Sequence, residues 1–214
     1  MVAFLKVSKF LKKEVKNIMK KIITISREFG SGGRTIGKAV AEKLGFRYFD
    51  KEIIEKLAEE TGLSKEFIAE NGEYASSKSR FGYAFVGRAI NGMSMEDYLW
   101  CEQQKLIQKI AEEGNCVIVG RCADYILKDR NDCLNVFIHA DEEFKAKRIV
   151  ENYGETAVAP AKRLADKDKK RAANYKYYTD QKWGASKNYD VSLKSSELGL
   201  ETCENVIVEL AKAL

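Results

Sequence analysis

Apolar residues along this chain come in short runs separated by helical repeats. Five runs read as strands, at 21–26, 47–50, 116–120, 134–139 and 190–194. The third, CVIVG, is apolar at nearly every position, as a strand covered on both faces of a parallel sheet must be. Between the runs, the spacing predicts helices over 33–44, about 52–60, 95–113, 141–152 and 200–213. In the first of these, Ile36, Val40 and Leu44 fall on one face. Alternating strands and helices predict right-handed βαβ units and a doubly wound parallel sheet, an α/β fold. The single proline, Pro160, marks one boundary, and no internal repeat or low-complexity linker interrupts the pattern.

In such sheets ligands bind beyond the carboxyl ends of the strands. That rule directs attention to residues 26–35, Asp50, Gly120 with Arg121, and the loop after Leu193. The first of these segments reads SREFGSGGRTIG, with four glycines (Gly30, Gly32, Gly33, Gly37) between a strand and a helix. Glycines let a backbone curl around an anion, and a helix N-terminus offers unsatisfied N–H groups and a favourable dipole. A phosphate-binding loop follows G-x-x-x-x-G-K-[ST], where the lysine reaches the terminal phosphates and the hydroxyl meets Mg²⁺. Here the loop ends Gly30, Ser31, Gly32, Gly33, Arg34, Thr35 and carries no lysine. Two alignments are open. Arg34 replaces the lysine and Thr35 the hydroxyl, or Gly33 occupies the lysine slot and Arg34 reaches in from the next position. In both, Arg34 supplies the positive charge. A glycine-rich turn without a ligand is the plain alternative.

Composition narrows the class. At 214 residues, 45% hydrophobic, the chain can bury one sizeable domain with a small lid. A net charge of +5 suits an anionic ligand without arguing for nucleic acid. The five cysteines are odd in number and show no CxxC pairing, so they read as reduced thiols of a cytoplasmic protein, neither a disulfide frame nor a zinc site. His139, closing an apolar run, reads as structural. No run of about 18 apolar residues is present to span a membrane. Residues 1–20 read as a basic helical extension, with Phe4, Val7, Leu11, Val15 and Ile18 at helical spacing. They make a poor signal peptide. A surface helix, a translation start at Met19, or a segment lying on an anionic membrane are the readings, and the first two are preferred.

Three stretches together resemble the cytidylate kinase-like family of P-loop nucleoside monophosphate kinases, in its divergent branch. They are GSGGRTIGKAVAEKLGFRYFDKEII, CVIVGRCADYILKDRNDCLNVFIHADEEFKAKR and DKDKKRAANYKYYTDQKWGASKNYDVSL, in the family's order. The resemblance implies a P-loop kinase fold over 21–214, with a five-stranded parallel sheet flanked by helices and a mobile helical lid at about 155–185. It implies ATP as donor, Mg²⁺ as cofactor and a small nucleotide as partner, most readily CMP or dCMP, with no nucleic acid or membrane. It places Gly30, Ser31, Gly32, Gly33, Arg34 and Thr35 at the ATP phosphates, with Thr35 on Mg²⁺, and Ser195 and Ser196 in the loop that cups adenine. Asp50, Lys56, Arg121 and Asp124 fall at the acceptor. Asp168 and Arg171 match the lid's D-x-x-R, whose arginine reaches the transferred phosphate; with Arg34 they form the catalytic set. Val119 and Cys122 stand where the family has two base-reading aspartates around Gly-Arg.

An acceptor that already carries a phosphate needs positive charge more than a base. Arg34, Arg121, Arg171 and Lys167 or Arg163 are the candidate cations, with Arg88 a further candidate for the acceptor. A hydroxyl acceptor would instead need a base, and Asp50 is the candidate. A non-catalytic nucleotide-binding regulator is the third reading. Residue by residue, other roles stay open. The segment KRLADKDKKRAANYKYYTDQKWG also reads as a solvated face or a nucleic-acid surface. Asp50 also reads as a helix N-cap, and Asp124 as a helix-start carboxylate.

Overall fold

The computed structural model describes residues 20–73 and 93–214. Five parallel strands form one sheet: β1 (Ile22–Arg27), β2 (Arg47–Phe49), β3 (Cys116–Val119), β4 (Cys133–His139) and β5 (Val191–Lys194), in the order β2-β3-β1-β4-β5. Central β1 pairs with β3 on one side and β4 on the other, so the direction of winding reverses around it. That reversal opens a crevice at the carboxyl end of β1, where the glycine loop begins.

The strands alternate between two cores. Ile22, Cys116 and Ile118 face one layer, built from α2 (Glu52–Thr61), α3 (Lys65–Asn71) and α4 (Met95–Glu113) and anchored by Ile53, Leu57, Ile68 and Ile107. Ile23, Ile25, Val117, Val119 and Val136 face the other. Ile36 and Val40 of α1 (Gly33–Leu44) and Ile207 and Val208 of α9 (Leu200–Ala213) cover them. Because β1 is buried along its whole length, the loop that leaves it starts from a rigid base. Helix ends follow their local chemistry. Ser64 and Ser94 cap α3 and α4 by accepting from the Phe67 and Asp97 amides, and Gly45 ends α1 in the left-handed region at φ 68°.

The five strands lie where the apolar runs place them, within a residue or two at each end, and Cys116 is fully buried as expected. The pattern did not reveal α3, α5 (Ala123–Ile126) or α8 (Ser195–Leu198), which are too short for a helical repeat to show. The loop expected at Ser195 and Ser196 is therefore the start of a helix. The lid segment is one helix, α7 (Pro160–Thr179), opened by its proline at the first turn. It is solvated on one face only, since Leu164, Arg171, Asn174 and Tyr175 are buried against the domain. Helix α6 (Glu142–Tyr153) connects β4 to this segment. The basic extension and Arg88 lie outside the described residues.

Ile36 is fully buried between α1 and the sheet. Ile36→Ala should lower unfolding free energy by about 2–5 kcal/mol, read by urea denaturation.

Candidate active site

The loop leaves β1 at Arg27 and re-enters regular structure at Gly33. Gly30 and Gly32 hold φ of 82° and 87°, which side chains with a Cβ rarely adopt. A Cβ on Gly30 would also meet the Lys145 carbonyl oxygen at 2.8 Å. The loop is braced from several sides. The Ser195 hydroxyl donates to the Ser31 carbonyl at 2.6 Å, joining α8 to the loop. Glu28 accepts from Lys145 Nζ at 2.7 Å and from the Ala140 amide at 3.2 Å, joining it to α6. The Phe29 amide donates to Asp168 Oδ1 at 2.7 Å, joining it to α7.

Two clefts open here. One lies under the loop and is lined by Gly30, Gly32, Gly33, Arg34, Thr35 and, from α6, Arg148. The other lies beyond β1 and β3 and is lined by Ser26, Gly120, Arg121, Asn174, Tyr175 and Trp183. Arg27 and Arg171 line both. Their charges meet Glu73: Arg27 pairs with its carboxylate directly, and Arg171 Nε stands 3.9 Å from it. Burial alone would raise the Glu73 pKa, but the guanidiniums of Arg27, Arg171 and Arg121 outweigh it and hold the pKa at about 2.

The residues singled out in the sequence divide in three directions. Gly30, Gly32, Gly33, Arg34, Thr35, Arg121 and Arg171 all line the clefts. Arg121 is held from both ends by Gln103, which accepts from its Nη1 at 3.1 Å and donates to its carbonyl at 3.3 Å. Asp50 stands at the end of β2, with Oδ2 2.9 Å from Arg34 and Oδ1 3.8 Å from Arg27. It does not cap α2: Lys51 occupies that position, and the Asp50 amide donates to Glu52.

Asp168, Asp124 and Ser195 act one step back from the clefts. Asp168 joins the loop amide to Arg171 Nη1, which lies 3.3 Å away, so it orients the arginine. Asp124 is buried under the second cleft, accepting from Ser26 at 3.2 Å and from Tyr175 at 2.7 Å. Burial raises its pKa to about 6. Ser195 is a brace of the loop, and Ser196 bonds Asp141 at 3.0 Å. Lys56 is exposed on α2, and among the described residues nothing holds it toward the arginines. On a helix so amphipathic, Ile53 and Leu57 claim the inward face and leave Lys56 outside.

Sequence reasoning passed over Arg148, Glu73, Gln103 and Asn174. Nothing near them in the chain marks them, because their partners lie on other elements. Thr35 is the hydroxyl expected on Mg²⁺. It is exposed on the cleft under the loop and accepts from Arg148 at 3.4 Å. Among the described residues no group of three or more His, Cys, Asp or Glu could hold a metal by itself. The site thus fits an ion that arrives with phosphate oxygens and water, to which a single protein hydroxyl suffices, and not a resident ion in a protein cage.

Five parallel strands in this order, a glycine loop at the winding reversal and an arginine cluster beyond it define a P-loop kinase. The sequence profile of the cytidylate kinase-like family matches residues 22–197, and the chain belongs to that family. Among its relatives is a cytidylate kinase of Archaeoglobus fulgidus, 29% identical over 87% of this chain and 92% of the other. Another, from Pyrococcus horikoshii, is 26% identical over 73% and 70%. A solved structure of an uncharacterized Eubacterium ventriosum protein superposes with a TM-score of 0.68 at 26% identity, covering 90% of this chain and 99% of that one. A shikimate kinase from Acinetobacter baumannii shares the fold at a TM-score of 0.52 and 15% identity, covering 90% and 93%.

Asp124 gives a pH-dependent test. Its carboxyl titrates at 3.8 when unperturbed and at about 6 here, so the folded state holds the proton more tightly. Its contribution is fully present below about pH 4 and is lost as pH rises through about 6. Asp124→Asn should therefore gain on the wild type between pH 4.5 and 7.5, by about 2 kcal/mol in urea titrations.

Proposed function

We propose that this kinase transfers the terminal phosphoryl group of ATP to a nucleoside monophosphate, most readily CMP or dCMP. The carrying observation is that the loop cleft and the second cleft adjoin, and that Arg27 and Arg171 line both. Two phosphates brought together repel, and guanidiniums between them offset that repulsion where charge develops. The loop amides and Arg148 would take the donor's phosphates, and Arg121 the acceptor's. Asn174 and Trp183 on the wall of the second cleft offer an amide edge and a ring face to a base. They provide a reading surface in a site where Val119 and Cys122 supply no carboxylate.

Helix α7 orients the transfer. Asp168 ties it to the Phe29 amide, and Arg171 Nη1 donates to the Arg27 carbonyl at 3.3 Å. The helix thus covers the loop and excludes water, which suppresses hydrolysis of the donor. Mg²⁺ held by Thr35 would neutralise donor charge. A hydroxyl acceptor would need a base, and the two oxygens of Asp50 already face Arg34 and Arg27. This favours an acceptor that brings its own phosphate.

ADP release from Mg-ATP should appear with one or two pyrimidine monophosphates in a panel of nucleotides. No turnover with any of them would defeat the reading. Arg171→Ala should lower kcat by about tenfold or more while changing the Kd for ATP much less, as expected of a group that acts in the transition state.

A further inference from the structure

We propose that the cation serving the donor phosphates as the loop lysine does elsewhere is Arg27, six residues upstream, and that position 33 is glycine to let its side chain through. This rests on the kinase reading above, since it names the phosphate-binding cation of that same site.

Helix α1 sets the register. It starts at Gly33, directly after Gly32 in the left-handed region. Gly32 is therefore the second glycine of G-x-x-x-x-G-K-[ST], and Gly33 stands in the lysine slot. Counting back six positions from that slot reaches Arg27, where the pattern has its first glycine. Glycine and cation have changed places. The register also puts Arg34 where the pattern has its hydroxyl, with Thr35 one residue later.

The space around Gly33 explains the exchange. Its φ does not lie in the left-handed region, so the backbone does not require glycine there. A glycine in a helix costs up to about 1 kcal/mol relative to alanine. What a side chain would meet is Arg27. A Cβ on Gly33 would lie 2.5 Å from Arg27 Cβ and 2.8 Å from its Cγ. These are the stiff near end of that side chain, which cannot swing aside. A lysine at 33 and an arginine at 27 exclude one another, because their stems need the same volume.

The guanidinium carried by that stem is buried and lines both clefts. Gly120 leaves room for it in turn, since a Cβ there would overlap Arg27 Nη1. Glu73 and Asp50 hold the group between the clefts. Arg34, the residue nearest the lysine slot in sequence, instead faces Asp50 at 2.9 Å.

The test is calorimetric binding of inorganic triphosphate and of Mg-ATP to the full chain, with thermal melts as a check on folding. Arg27→Met keeps the stem and removes the charge, and should weaken triphosphate binding by about tenfold or more; Arg27→Lys should lose less. Gly33→Lys alone should be damaged, because both stems compete for one volume. The pair Arg27→Gly with Gly33→Lys should recover binding to within roughly threefold of wild type, although Glu73 has lost its nearest cation. A merely structural Arg27 would not be rescued in this way. Undiminished binding by Arg27→Met, or a double variant no better than Arg27→Gly, overturns the proposal. Arg27-dependent binding without ADP release against any nucleotide overturns the acceptor reading alone. ADP release that survives Arg27→Met overturns this inference alone.

Discussion

Guanidinium groups gathered at one end of a sheet repel one another, and the site depends on how that repulsion is contained. Like charges about 5 Å apart cost about 3 kcal/mol at an effective dielectric near 20. Glu73 answers Arg27, Arg171 and Arg121 together, and Asp50 answers Arg34 and Arg27. The two carboxylates keep the cations together at the carboxyl end of the sheet. Each holds arginines at the edge of a cleft.

Tethering the covering helix to the loop follows from the same arrangement. Asp168 accepts from the Phe29 amide, and Arg171 donates to the Arg27 carbonyl, so α7 is stitched to the backbone where β1 runs into the glycine loop. Phe29 adds apolar support, with the Tyr153 ring stacked 5.6 Å away and the Arg171 guanidinium 5.9 Å from its ring. Beneath the second cleft, Asp124, Tyr175 and Ser26 form a buried hydrogen-bonded set that fixes the floor. These contacts tie β1, α5 and α7 into one frame, so a change on α7 is felt at the loop.

The sheet was readable because each strand carries its own signal. CVIVG is apolar on both faces because helices cover both faces of β3. Helix α1 was readable from Ile36 and Val40, whose spacing matches the face they bury. The glycines of the loop were readable because the left-handed backbone at Gly30 and Gly32 is a local demand. Lys56 shows where such reading stops. Its position in the chain near Asp50 does not bring it to the cluster, because Ile53 and Leu57 decide which way α2 faces. Asp168 and Asp124 show the same limit, since their partners, Phe29 and Tyr175, come from 139 and 51 residues away.

By itself the sequence determined what local physics encodes: the strand and helix periods, the glycine loop between them, and a supply of arginines in the segments that follow strand ends. Tertiary structure decided which arginines meet, which carboxylates neutralise them, and which side chain occupies the volume above Gly33. Those outcomes depend on distances between elements far apart in the chain. Charge and packing act through space, and only the assembled sheet with α7 against it brings Arg27, Glu73 and Arg171 within reach of one another.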